Sequence, residues 1–176
     1  MPTIAGIGEV MQLGFVPRDW DAALKYWIET MGAGPFHVLS GNHAETAYHR
    51  GRPSDPELTI AFGHWGDTDL QIELIRQDND APSIYREWLD EGREGVQHVC
   101  VVTDDLDRAH ETIEASGAQV VCGGAAVGTT WFYADTGGGP GTMVEVTCQS
   151  EQVAAMMKMI RDSARGWDGS DPIRHL

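Results

Sequence analysis

Four short runs, VMQLGFV, DLQIELI, VQHVCVV and TMVEVTC, share one pattern along the chain: apolar side chains at alternate positions, flanking a polar residue of the opposite parity. The apolar pairs are Leu13 and Phe15, Ile72 and Leu74, Val99 and Val101, and Val144 and Val146; the polar residues are Gln12, Glu73, His98 and Glu145. A period of two is the period of a β-strand, whose successive side chains point to opposite faces of a sheet. Each run therefore predicts a strand with one face for packing and one face for chemistry.

Between the strands the period changes to that of a helix. Trp20, Ala23, Leu24, Trp27, Ile28 and Met31 form an apolar stripe at helical spacing, opened by Asp19 as a cap and stopped at Gly32. Packing explains these tryptophans without a cofactor. A weaker helix follows Asp105, with Leu106, Ala109 and Ile113 inward and Gly117 past its end, and a third spans Pro82 to Glu91 around Tyr85, Trp88 and Leu89. Ser150 can cap a last helix to about Ala164, with Val153, Met157 and Ile160 on one face; its methionines read as packing. Further strands are expected at FHVL, ETAYHR and ELTIAFGH in the first half and at QVVC and TTWFYA in the second. The tail RGWDGSDPIRHL reads as irregular, anchored by Trp167 and Ile173, and GGGPG at 137–141 as a turn poorly suited to cradling phosphate.

The two halves repeat. His98 lies 86 positions after Gln12, and the same offset carries Asp19, Asp21 and Ala23 onto Asp105, Asp107 and Ala109. Glu145 lies 72 positions after Glu73, so the second half is shorter by 14 residues, a difference that surface loops absorb. Such self-similarity marks a duplicated unit. The expected fold is α+β: a βαβββ module over residues 1–80, a helical linker over 81–95, a second βαβββ module over 96–149, and a C-terminal helix and tail over 150–176.

The matched polar residues gain meaning from that duplication. Two carboxylates, an imidazole and an amide brought to one concave face need a neutralising partner, because an isolated buried carboxylate costs several kcal/mol or takes up a proton. A divalent cation with Gln12, Glu73, His98 and Glu145 as ligands removes that cost and leaves open positions. Gln71 shares the face of Glu73 and competes for its place, although Glu73 is the repeat counterpart of Glu145. Mixed nitrogen and oxygen donors accept zinc, nickel, cobalt, manganese or iron alike.

Charge and length narrow the partners. With 176 residues the chain suffices for one substantial core. A formal charge of -15, from 27 acidic and 12 basic residues, argues against nucleic acid and anionic membrane as partners. Arg50, Arg52, Arg86 and Arg93 lie close enough for an anion patch, but solvated surface arginines are the simpler reading. Cys100, Cys122 and Cys148 lack disulfide or CxxC spacing, the first ten residues lack a leader pattern, and no run approaches the ~18 apolar residues of a membrane span. A cytoplasmic protein is expected.

The paired openings QLGFVPRDWDAALKYW and QHVCVVTDDLDRAHETI and the paired endings QIELI and MVEVT resemble the vicinal oxygen chelate superfamily over roughly residues 8–149. That group includes glyoxalase I, methylmalonyl-CoA epimerase, extradiol dioxygenases and bleomycin-resistance proteins. The resemblance implies two βαβββ modules forming an open, barrel-like cup, with ligands on the first and last strands of each module. It implies a homodimer and a small-molecule substrate. A Gln, Glu, His, Glu set resembles the shell of glyoxalase I, whereas extradiol dioxygenases use two His and one carboxylate.

The same resemblance implies a metal-dependent lyase or isomerase that moves a proton beside a metal-bound carbonyl or enediolate oxygen. Glu145, or else Glu73, is the implied base. Tyr48, Trp65, Trp131 and Tyr133 are candidate substrate contacts, although strand aromatics often serve the core. The rival readings are an acyl-CoA epimerase, a non-catalytic ligand-binding protein of the bleomycin-resistance kind, and a plain interaction module.

Overall fold

The computed structural model describes residues 3–137 and 143–176. In chain order it contains β1 (Glu9–Phe15), α1 (Trp20–Lys25, continued as a π-helix over Tyr26–Thr30), β2 (Phe36–Asn42), β3 (Thr46–His49), β4 (Arg52–Pro53), β5 (Leu58–His64), β6 (Gln71–Gln77), α2 (Ile84–Asp90), β7 (Val96–Val102), α3 (Leu106–Ala115), β8 (Gln119–Ala126), β9 (Thr129–Asp135), β10 (Met143–Gln149), α4 (Glu151–Ala164) and β11 (Ile173–His175). The predicted caps are in place: Asp19 accepts from the Ala22 N–H at 3.0 Å, Asp105 from Arg108 at 3.0 Å and Ser150 from Val153 at 3.3 Å.

Among the described residues the strands form one sheet in the order β11-β2-β5-β6-β1-β7-β10-β9-β8-β3-β4. The βαβββ units are β1-α1-β2-β5-β6 and β7-α3-β8-β9-β10. They join where β1 runs antiparallel to β7, while β6 and β10 flank that seam as parallel neighbours. The chain leaves β2 at Asn42 and enters β3 at Thr46, eight strands away in the order. In a flat sheet that distance is about 38 Å, whereas four residues reach at most about 14 Å. The sheet must therefore curl until its ends approach, giving the open cup that the α+β reading implied.

Parity sorts the core as predicted. Leu13, Phe15, Ile72 and Leu74 pack on the convex side with Leu24 and Trp27, and Val144 and Val146 pack there with Ala109 and Ile113 of α3. The concave side holds a third cluster in which Leu58, Ile60 and Phe62 of β5 meet Tyr85 and Trp88 of α2 and Ile160 of α4. Two features depart from the sequence reading. The first helix changes to π geometry at Tyr26, and the tail is not irregular: its last residues pair parallel with β2, placing Ile173 opposite Phe36. Trp167 covers Gly34, where an added Cβ would lie 3.0 Å from its ring. Gly138 to Gly141 of the expected GGGPG turn lie outside the described residues.

Candidate metal centre and its cavity

Where β6, β1, β7 and β10 run side by side, register decides which polar residues meet. Gly14 lies opposite both Glu73 and His98, and Cys100 lies opposite both Gln12 and Glu145. His98 Nε2 is 3.0 Å from Glu73 Oε2 and 3.3 Å from Glu145 Oε2. The side chain of His98 is fully buried, that of Glu73 is 8% exposed and that of Glu145 is 13% exposed. These three offer ligand atoms within 4.8 Å of one another.

The imidazole is held from two sides. Gly14 has no Cβ, and one built there would sit 1.8 Å from His98 Cε1, so the ring occupies the space a side chain would fill. Gln97 Oε1 lies 2.7 Å from His98 Nδ1. A carbonyl oxygen only accepts, so Nδ1 carries a proton, and in the neutral ring Nε2 presents its lone pair to the carboxylates. The opposite end of the Gln97 amide points at Met143 Sδ, 3.6 Å away, which suits a donor. Neither His98 Nε2 nor Glu73 Oε2 makes a directed hydrogen bond. Three acceptor atoms facing one another out of water repel unless a positive charge sits among them. Burial opposes a charge on His98, yet Glu145 and Glu73 outweigh it and push the ring up to about 9, so the positive charge among these atoms is either a second proton on the ring or a cation that displaces it. Burial likewise raises Glu73, against the pull of His98. The donor set fits a divalent cation: two charges to balance two carboxylates, with an imidazole whose second nitrogen is already anchored.

Gln12 lies on the same face, and its Nε2 donates to Gln71 Oε1 at 2.7 Å, leaving its own carbonyl oxygen outside that bond. Gln71 is thus tied to Gln12 and lies near Met157 Sδ at 3.6 Å. The centre opens into a cavity of about 460 Å³ that Gln12, Glu73, Glu145, Cys100, Trp131 and Tyr133 help to line.

The four aromatics proposed from sequence separate. Trp131 and Tyr133 line the cavity, with the Tyr133 ring edge-on to His98 at 5.1 Å. Tyr48 lies on β3 in a neighbouring depression with Trp131. Trp65 does not line the cavity; its ring packs edge-on against Trp27 at 6.0 Å and its Nε1 donates to Met31 O at 3.0 Å on the convex side. Its odd position just past β5 sends it there, away from Leu58, Ile60 and Phe62. Of the four arginines, Arg50 pairs with Glu87, Arg86 with Asp80 and Arg93 with Glu91, as surface residues do.

Sequence reasoning missed Gly14, Gln97 and Tyr85. A glycine inside an alternating strand is a signal of close approach, and Gly14 carried it. Gln97 has the wrong parity to help His98 in a regular strand. A bulge explains it: Gly14 faces His98 and Phe15 faces Val96, so Gln97 is an extra residue without a partner. Tyr85 donates to the Tyr133 hydroxyl at 3.1 Å from the linker helix, a contact no local pattern announces.

A single curled sheet built from two βαβββ units, with a carboxylate and imidazole centre on its inner face, defines the class of paired-module cup proteins. The chain belongs to the glyoxalase/bleomycin resistance protein/dioxygenase superfamily, whose family model matches residues 11–134. This agrees with the vicinal oxygen chelate resemblance of the strand motifs. Among curated proteins none matches. Solved structures are similar in fold: a hypothetical protein from Bacillus halodurans C-125, at 15% identity and TM-score 0.58, covers 82% of this chain and 96% of its own. Methylmalonyl-CoA epimerase from Mycobacterium tuberculosis, at 16% identity and TM-score 0.56, covers 83% and 91%. A Streptomyces coelicolor methylmalonyl-CoA epimerase variant in complex with 2-nitronate-propionyl-CoA, at 16% identity and TM-score 0.54, covers 82% and 96%. No described helix is long and apolar enough to cross a membrane.

Proposed function

We propose that the protein is a divalent-metal-dependent lyase or isomerase that shifts a proton at the carbon next to a carbonyl of a small organic substrate. The supporting observation is the convergence of Glu73, His98 and Glu145 at the wall of a cavity large enough for such a substrate. Glu73, His98 and Glu145 would hold the ion, with the Gln12 carbonyl oxygen as fourth donor. A divalent cation there supplies the positive charge that polarises a carbonyl and acidifies the neighbouring C–H.

The remaining roles fall to the chain's own side chains. Glu145 is the least enclosed of the three donors and faces the cavity, so it is the base best placed to take a proton and return it. His98 holds its position against Gly14 and Gln97. The Tyr85 hydroxyl donates to that of Tyr133, leaving the Tyr133 proton free to donate to a substrate oxygen. Trp131 and Tyr133 help to exclude water. The acyl-CoA epimerase reading draws on likeness of fold, but among the described lining residues there is no Lys or Arg to meet a carboxylate or phosphate. A non-catalytic binder leaves two inward carboxylates unexplained.

Metal loading followed by deuterium exchange into carbonyl compounds in heavy water tests the reading. Glu145→Gln should lower exchange at least ~100-fold, the usual contribution of a positioned base, while the melting temperature is kept. Exchange at the wild-type rate in that variant removes Glu145 from the mechanism.

A further inference from the structure

The cup is closed by a helix whose position is built into the chain at both ends. At its start the Ser150 N–H donates to Gly128 O at 2.7 Å, and a Cβ on Gly128 would lie 2.9 Å from Val153 Cγ2, so this turn is shaped to receive α4. At its end Arg161 pairs with Asp69 at 3.3 Å and the Gly166 N–H donates to Asp67 Oδ1 at 3.2 Å. The chain then continues into β11 on the rim of β2. Between these anchors α4 turns Val153, Met156 and Met157 into the cavity, facing Ile60, Phe62 and Trp131. These methionines do more than pack the core, as their spacing alone suggests, because the same face roofs the metal centre.

Charge in the cavity is one-sided. The ionisable acids of the lining are Glu45, Glu73 and Glu145, and among the described lining residues no Lys or Arg opposes them. His43, at the rim, is already 2.8 Å from Asp55. A dication at the centre is balanced by Glu73 and Glu145 and leaves no surplus charge for a distant anion. An anionic group on the body of a ligand would therefore find only uncharged donors such as Asn42, Gln149 and Gln152 among methionine, isoleucine and tryptophan, and no counter-ion, which is costly out of water.

We propose that this cavity is built for neutral, mainly apolar carbonyl compounds, and that α4 excludes ligands with an anionic body, nucleotide thioesters included. The proposal rests on the proton-transfer reading of the same site for its turnover arm and on the cavity alone for its binding arm.

The experiment compares 2-hydroxyacetophenone with its ring 4-carboxylate, whose charge lies far from the exchanging carbon, on the metal-loaded full chain. Deuterium exchange should favour the neutral compound by about 100-fold in kcat/KM, as expected for an unpaired buried carboxylate. Calorimetric binding of acetophenone against 4-acetylbenzoate and acetoacetyl-CoA should show the same order. Met157→Lys, verified as folded by its melting curve, should reduce the preference at least about tenfold by providing a counter-ion. If acetophenone binds selectively but no compound exchanges, the substrate class stands and the proton-transfer reading falls. Comparable binding or exchange of the 4-carboxylate or the thioester, or a preference unmoved by Met157→Lys, overturns the proposal.

Discussion

Replacing Gly14 with alanine adds one methyl group in space that the His98 ring already fills. The new Cβ would lie 1.8 Å from His98 Cε1, 2.1 Å from Nε2 and 2.4 Å from Nδ1. Carbon atoms rest at about 3.5–4.0 Å, so the ring must move by roughly 1.5–2 Å. Strand backbone accepts alanine here, since Gly14 is not among the positive-φ glycines. The damage therefore falls on the imidazole. A metal ligand tolerates about 0.2 Å of displacement, and His98 would also leave Gln97, now 2.7 Å from its Nδ1. Loss of an orienting partner alone lowers metal affinity about 10- to 100-fold, so losing ligand and partner together should exceed ~100-fold. Overpacking costs about 1–3 kcal/mol, a fall in melting temperature of roughly 2–12 °C in a chain of this size. Isothermal titration with zinc, nickel, cobalt and manganese, beside thermal melts, measures both effects. Gly63→Ala is the control: its Cβ would meet the Phe36 ring at 2.8 Å on β5, away from the centre, so it should lower stability and leave cation affinity alone. Wild-type affinity in Gly14→Ala, or equal affinity losses in both variants, would refute the assignment of His98 as a ligand held by that glycine.

Two further predictions concern histidine. Gln97→Leu removes the acceptor of the buried Nδ1–H and should weaken cation binding about 10- to 100-fold by titration, while Gln97→Glu, which keeps an acceptor, should recover most of it. His37 and His64 are both buried; burial lowers each, and Arg174 adds to the effect at His37 and Arg161 at His64. With an unfolded value of 6.5, the unfolded chain takes up these protons first, so their contribution to stability is complete above pH 6.5 and is lost as pH falls toward the lower folded values. Urea midpoints at pH 7.5 and 5.5 should differ less in a His37→Asn/His64→Asn double variant than in the wild type. An unchanged difference would show that these rings do not drive the acid sensitivity.

Much of the molecule is legible along the chain because its information is periodic. Alternation puts Leu13, Ile72, Val99 and Val144 on one face and Gln12, Glu73, His98 and Glu145 on the other, and the repeat tells which strands are equivalent. Local chemistry marks the starts of three helices at Asp19, Asp105 and Ser150. Pairing in space supplies what no period encodes. Parity separates the two faces of a strand but does not say which of them turns inward, so Trp65 and Trp131 look alike in sequence while one packs on Trp27 and the other lines the cavity. A bulge changes the meaning of Gln97, because one extra residue overrides alternation locally. Strand pairing between distant segments makes the tail a rim and α4 a roof, since hydrogen bonds across a sheet join residues by position in space. The order of residues limits which side chains can share a surface; the curl of the sheet selects which of them meet.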